Sequence, residues 1–201
     1  MTGTSALILG DMQNDLLHPD GAYARGGQTN SAIAALPEKL APLVRRARES
    51  GILIIATLFT LVPGRGGEPI MSPHLKQLRP FLRRGDFAPG SWGQQLVDAL
   101  SPADIAVEKV AYSAFYMSRL EWVLRKCGIE RLYLTGIVTN GGVASTVRDA
   151  HVRDFHCTVI EDGCAAFLDE VHCAAIAGLR PVAAITTIAD AMQSFTAIAE
   201  G

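Results

Sequence analysis

ALILGD, residues Ala6 to Asp11, is an unbroken apolar run that ends on an acid, and DMQND follows from Asp11 to Asp15. A strand of a parallel sheet is covered on both faces and therefore reads as continuous apolar residues. Ligands of open α/β sheets bind outside the carboxyl ends of such strands. Asp11 thus stands where a bound molecule would be, although Asp is equally at home in a helix cap or a turn. Two further strand exits weigh in favour of the ligand reading.

Outward from this run, apolar segments and helical periods alternate. Strands are predicted at Ala6–Gly10, Leu53–Thr57, Ile105–Val107, Arg131–Thr135, Thr158–Ile160 and Ala184–Thr187. Between them lie helical stretches at Ser31–Glu49, Gln94–Leu100, Ser118–Lys126, Val143–Asp154 and Glu170–Ala177, with a last helix from about Asp190. In the first of these, Leu36, Leu40, Leu43, Val44 and Ala47 recur at helical spacing, Pro37 belongs near the start of the main helix, and Gly51 stops it. The alternation predicts an α/β fold, an open, mainly parallel six-stranded sheet with helices on both faces and right-handed crossovers. Pro63–Trp92 is rich in Gly and Pro with no clear period, and a connection of that length tends to be functional.

The chain has 201 residues, a size that suits one domain with a full core. Half of it is hydrophobic (49%) and 19% is charged, a globular composition. Net charge is −2 with no basic block, which gives no support to nucleic-acid or membrane-surface binding. No apolar run approaches the roughly 18 residues of a membrane span, and the N-terminus lacks an export pattern. Cys127, Cys157, Cys164 and Cys173 form no C-x-x-C pair, so free thiols and a cytoplasmic location are expected. Mean hydropathy is +0.22, apolar enough that a partner subunit is expected to cover some of the surface.

The second strand exit is Val107-Glu108-Lys109, followed by VAYSAF. A Lys is ordinarily a solvated charge. Lys109 sits among apolar residues at the ligand edge, where a half-buried ammonium needs a partner, and Asp11 is the obvious one. The third exit is Thr135-Gly136 followed by IVTNGGVAST, a tight strand-to-helix turn with two glycines at the helix start. Free N–H groups there form an anion or oxyanion cradle; a plain connection eased by Gly is the alternative. No phosphate-loop or dinucleotide fingerprint occurs, so nucleotide binding is not expected.

Taken together, these strings resemble the isochorismatase-like hydrolases, also called the cysteine hydrolases. The resemblance runs from about Ala6 to Thr187 through ALILGDMQNDLLHPDGAYARGG, PHLKQLRPFLRRGDFAPGSWG, EKVAYSAF, LYLTGIVTNGGVASTVRDAHVRDF and VIEDGCAAF. It implies that Asp11 and Lys109 are catalytic, and that the family's nucleophilic Cys, in a string like TNxCVxST, falls on Gly142. The nucleophile is missing. A thiolate would form an acyl-enzyme; what remains is a proton-transfer carboxylate, a cation and an N–H cradle, which can protonate a substrate or activate a water. The family's isochorismatases also carry Gly there and hydrolyse a vinyl ether without a covalent intermediate. Their string resembles GVYAHxG, whereas this chain has GIVTNGG, and DMQND is closer to the amidases. The resemblance also implies a cis peptide at Ile137–Val138, aiming the N–H groups of Val138 and Gly142 into the pocket. It implies no cofactor, and no metal, because strand two exits as TLFTLVPG without the D-x-H of nicotinamidases. A small-molecule substrate and a homodimer or homotetramer are expected.

Phe59, Trp92, Tyr112 and Phe115 are the expected pocket walls, against the alternative that each is plain core. Asn140 is expected to offer its amide to substrate or to cap the following helix. Cys164, at another strand exit, reads as a small buried thiol. The expected function is a small-molecule hydrolase acting without a cysteine nucleophile. A non-catalytic binding homologue and a residual amidase using a water or Cys164 are the alternatives.

Overall fold

The structure, a computed structural model, describes residues 4–199. In chain order the elements are β1 (Thr4–Gly10), α1 (Asn14–Leu17), α2 (Ala22–Arg25), α3 (Ser31–Ala34), α4 (Leu36–Glu49), β2 (Leu53–Phe59) and α5 (Pro73–Leu78). Then follow β3 (Ile105–Lys109), α6 (Leu120–Lys126), β4 (Ile129–Ile137), a π-helical turn (Thr139–Val143), α7 (Ala144–His151), β5 (His156–Ala165), α8 (Asp169–Leu179), β6 (Ala184–Thr186) and α9 (Ile188–Ala199).

The six strands form one sheet in the order β3-β2-β1-β4-β5-β6, with every pairing parallel. Strand β1 is central, and its side chains alternate between two cores. Leu7 and Leu9 pack with α4 and α9 residues such as Leu40, Leu43 and Phe195, while Ala6 and Ile8 pack with Leu120, Leu124 and Val147 of α6 and α7. Both faces are thus covered, which is why ALIL reads as unbroken apolar sequence.

Helix α4 buries Leu36, Leu40, Leu43, Val44 and Ala47, the stripe read from the sequence. Its end is a Schellman arrangement: Gly51, with φ of 68°, donates to the Arg48 carbonyl, and Ile52 donates to that of Ala47. The single helix expected over Ser31–Glu49 is divided into α3 and α4, with Pro37 in the first turn of α4.

Two local expectations are corrected. Gln94–Leu100 is not a helix; only Asp98–Leu100 makes a 3₁₀ turn. The preceding backbone pairs with the segment after β1 instead. Asn14 donates to the Gln95 carbonyl, Asp15 to that of Gly93, and Val97 to that of Met12. The long connection Pro63–Trp92 in turn contains α5, started by Ser72, whose hydroxyl accepts from the Leu75 N–H at 3.1 Å, with Pro73 in its first turn.

The chain order of the sheet reverses direction between β1 and β4, the switch point at which a cleft opens in such sheets. Gly10 lies beside Gly136 there. Gly136 has φ of 121°, and a Cβ on it would stand 2.1 Å from the Gly10 carbonyl oxygen. Gly136→Ala is therefore expected to destabilise the fold by about 3 kcal/mol or more, through backbone strain and overpacking. Gly51→Ala, where φ is positive but the space is open, is expected to cost only about 1–2 kcal/mol. Urea unfolding of the two variants measures the difference.

Candidate functional site

Four neighbouring strands end at one cavity. Lys109 closes β3, Phe59 closes β2, Asp11 follows β1, and Ile137-Val138 leaves β4. The cavity has a volume of about 260 Å³. Asp11, Lys109, Phe59, Tyr112, Val138 and Gly142 all line it.

Asp11 and Lys109 meet there. Lys109 Nζ lies 2.7 Å from Asp11 Oδ2, and Lys109 is only 2% exposed. The ammonium also donates to the carbonyls of Ala111 at 2.9 Å and Tyr112 at 3.2 Å. An ammonium has three donors, so all three are engaged by the protein. Lys109 thus fixes Asp11 and the Ala111–Tyr112 loop, with no N–H left over for another molecule. The Asp11 backbone is left-handed, with φ of 58°, and its N–H donates to the Thr57 carbonyl. Strain of this kind at a non-Gly residue gathers at functional sites. Burial pushes the Asp11 carboxyl up from its ordinary range, while the charge and hydrogen bond of Lys109, and then Thr57, pull it back.

The rest of DMQND clamps the walls. The Gln13 amide nitrogen donates to the carbonyls of Phe59 and Gln94, both at 2.9 Å, and its oxygen accepts from the Phe59 N–H at 2.8 Å. Asp15 accepts from the Ala22 N–H at 3.0 Å and the Phe87 N–H at 2.7 Å. Side chains standing in for backbone partners in this way hold the connection after β2 against the exit of β1.

The Ile137–Val138 peptide is cis, and the π-helical turn follows at once. Thr139 is fully buried, and its hydroxyl lies 2.8 Å from Nδ1 of His172 on α8, which ties the turn to that helix. A Cβ built on Gly142 would stand 3.2 Å from Asp11 Oδ2 and 3.1 Å from the Ile137 carbonyl oxygen, so position 142 faces the carboxylate directly.

Two of the four expected wall residues, Trp92 and Phe115, do not line the cavity, and neither does Asn140. Trp92 is 48% exposed and packs edge-on against His18, its carbonyl held by the Asn14 amide at 2.9 Å. Phe115 turns inward and packs against Phe155 in the core shared with α6 and α7, and the neighbouring Ala114 N–H donates to the Thr146 hydroxyl. Asn140 is exposed and caps no helix. Conversely, Tyr23, Phe167, Arg79 and the α5 residues Leu75 and Leu78 line the cavity without having been singled out. Tyr23 belongs to GAYARGG and Arg79 to PHLKQLRP, strings that carry the family resemblance, but neither has a period or spacing that announces a role.

The two buried thiols do not line the cavity. Cys164 is buried within β5, with its sulfur 3.9 Å from the Leu134 carbonyl, and burial pushes it up to about 12. Cys157 is likewise buried and pushed up to about 12.

The parallel α/β sheet thus carries a buried acid–lysine pair beside the cavity at its strand ends. The isochorismatase domain matches residues 5–190, and the chain belongs to the isochorismatase family of hydrolases. It is 36% identical over 170 residues to the ureidoacrylate amidohydrolase RutB of Caulobacter vibrioides, covering 79% of this chain and 76% of that protein. The fold is that of a cysteine hydrolase from Pseudomonas syringae pv. phaseolicola, with a TM-score of 0.83, 22% identity and coverage of 96% of this chain and 93% of that one. The nicotinamidase PncA of Bacillus subtilis gives a TM-score of 0.74 at 25% identity, over 91% of this chain and 99% of that one. Among the described residues, no helix is long and apolar enough to cross a membrane.

Removing one partner of a buried pair leaves an uncompensated charge. Lys109→Met is expected to destabilise the protein by about 3–5 kcal/mol, whereas Asp11→Asn combined with Lys109→Met should recover much of that loss. A double-mutant cycle by urea denaturation measures the coupling.

Proposed function

We propose that this chain is a small-molecule hydrolase that works without a cysteine nucleophile, with Asp11 as general acid and base, Lys109 as its positioning cation, and the Val138–Gly142 turn as oxyanion cradle. The single observation that carries the reading is the buried Asp11–Lys109 pair at 2.7 Å, facing a cavity through the bare backbone of Gly142. In the step proposed, Asp11 takes a proton from a water as the water oxygen attacks the electrophilic carbon. Negative charge collects on the former carbonyl oxygen, where the backbone N–H groups of the turn are suited to hold it. Asp11 then returns the proton to the leaving nitrogen or oxygen as its bond to carbon breaks. One water is consumed, and the carboxylate ends as it began. The ureidoacrylate amidohydrolase relative supports an amide or ureido bond as the one cleaved.

A non-catalytic binding homologue is the second reading, favoured by Gly142 offering no nucleophile and by the two buried thiols being held protonated. A residual amidase based on Cys164 loses support on the same ground, and because Cys164 does not line the cavity.

Turnover of a panel of amides and ureides separates the readings. Asp11→Asn is expected to lower kcat by about two to four orders of magnitude. Since burial raises the carboxyl, the ionised base is lost as pH falls through a value above the ordinary carboxylate range of about 4. The acid limb of kcat/KM is therefore expected above that range, and to vanish in Asp11→Asn. Binding without turnover of any compound would establish the second reading.

Position 142 offers a complementary test. Its φ is not left-handed, and a Cβ there needs its neighbours to move by only a few tenths of an ångström. Gly142→Cys is expected to gain amide hydrolysis through an acyl-enzyme, detected as a mass increase of the intact protein under acid quench.

A further inference from the structure

Three large apolar side chains at the cavity have no core to join. Leu78 of α5 is 42% exposed, and Val110 and Tyr112, in the loop after β3, are 47% and 58% exposed. All three line the cavity, and among the described residues none of them packs into an apolar core. A single exposed apolar side chain is ordinary. Three around one opening form a patch of the kind that marks a binding surface. Helix α5 buries no residue, so the protein's own packing leaves Leu78 unused.

The patch is held in place. Arg79, next to Leu78, donates through Nε to the Tyr23 hydroxyl at 3.2 Å, which ties the end of α5 to α2. Lys109 holds the carbonyls of Ala111 and Tyr112. The Tyr112 ring lies along the glycine turn, since a Cβ on Gly141 would stand 3.2 Å from it. One loop thus links that turn to the exposed patch. Polarity changes with depth: Asp11, Lys109 and Gly142 are buried, whereas the patch is open to solvent. An amide or ureide head takes on the order of 100 Å³ if each heavy atom is given the ~30 Å³ of a water in the liquid. That is less than half of the 260 Å³ of the cavity. On the same scale the remainder takes about five carbons.

We propose that the molecule taken by this cavity carries a hydrocarbon arm of about five carbons, with its polar head beside Asp11 and Gly142 and its arm across Leu78, Val110 and Tyr112. That the head is an amide or ureide rests on the hydrolase reading above; the arm does not. The three rim residues select by length and apolarity, because each methylene that leaves water against them adds to affinity. They take no part in proton transfer.

Straight-chain methyl ketones test the arm apart from catalysis, because they match the primary amides in shape and have no leaving group. Affinities are read by NMR shift titration of the protein. From methyl ethyl ketone to methyl pentyl ketone, each added methylene is expected to tighten binding by the wild type about two- to fourfold, a ratio on the order of 10- to 60-fold in all. Leu78→Gln combined with Val110→Thr is expected to reduce that ratio to about threefold or less, with the affinity for methyl ethyl ketone unchanged. If that pair of changes disturbs α5 or the loop, Tyr112→Ser is the second variant, with the ratio falling by about threefold or more. Ile70→Gln, at an exposed position outside the lining, should leave the ratio as it is. A wild-type ratio below about twofold, a ratio that survives in both rim variants, or one that falls equally in Ile70→Gln overturns the proposal. A flat series together with a wild-type dimer that dissociates in the double variant, seen by sedimentation, also overturns it and assigns the patch to a second copy. The hydrolase reading fails separately: no turnover of hexanamide or pentylurea with the ketone series steep removes catalysis and leaves the arm standing, whereas turnover of short amides with a flat series removes the arm alone.

Discussion

A buried ammonium touching a buried carboxylate is the constraint around which the rest of this molecule is arranged. Neither Lys109 nor Asp11 is tolerable alone in a dry site. Together they need two strand ends to arrive within hydrogen-bond distance, although β2 lies between β3 and β1 in the sheet. The left-handed turn at Asp11 brings the carboxylate across the end of β2, and the carbonyls of Ala111 and Tyr112 take the remaining lysine donors. The pair therefore fixes the mouth of the sheet as well as any chemistry performed there.

On the other side of β1, the constraint is space. Gly10 and Gly136 allow β1 and β4 to run together up to the switch point, and Gly142 then brings bare backbone up to the carboxylate. A side chain at position 142 would project between Asp11 and the Ile137 carbonyl. The bare backbone at position 142 leaves the carboxylate open toward the cavity from that side.

The strands and the main helices were legible from periodicity because burial on both faces leaves a one-dimensional trace: ALIL in β1, and the Leu36-Leu40-Leu43-Val44-Ala47 stripe in α4. Asp11 and Lys109 were legible because strand ends are legible. The cavity walls were not. Trp92 and Phe115 are aromatic residues near the mouth of the sheet, yet one lies on the outside against His18 and the other turns into the core against Phe155. Tyr23 and Arg79 reach the cavity from two segments with no strand of their own, brought together by the hydrogen bond between them and by their packing on Phe167. The segment before Leu100 reads as a helix, but its backbone is claimed by Gln13, Asn14 and Asp15, and a competition between local and distant hydrogen bonds leaves no mark in the local pattern.

The amino-acid order by itself determined that this chain forms a parallel α/β sheet, that an acid and a lysine stand at its ligand edge, and that position 142 has no sulfur, since each of these is a property of neighbouring residues. Tertiary structure alone decided which strand ends are adjacent, which aromatic rings face the cavity, and that Tyr23 and Arg79 reach it. Those outcomes depend on contacts between segments far apart in the chain, where the cost of burying a charge or leaving a donor unpaired is settled only once the whole fold has closed.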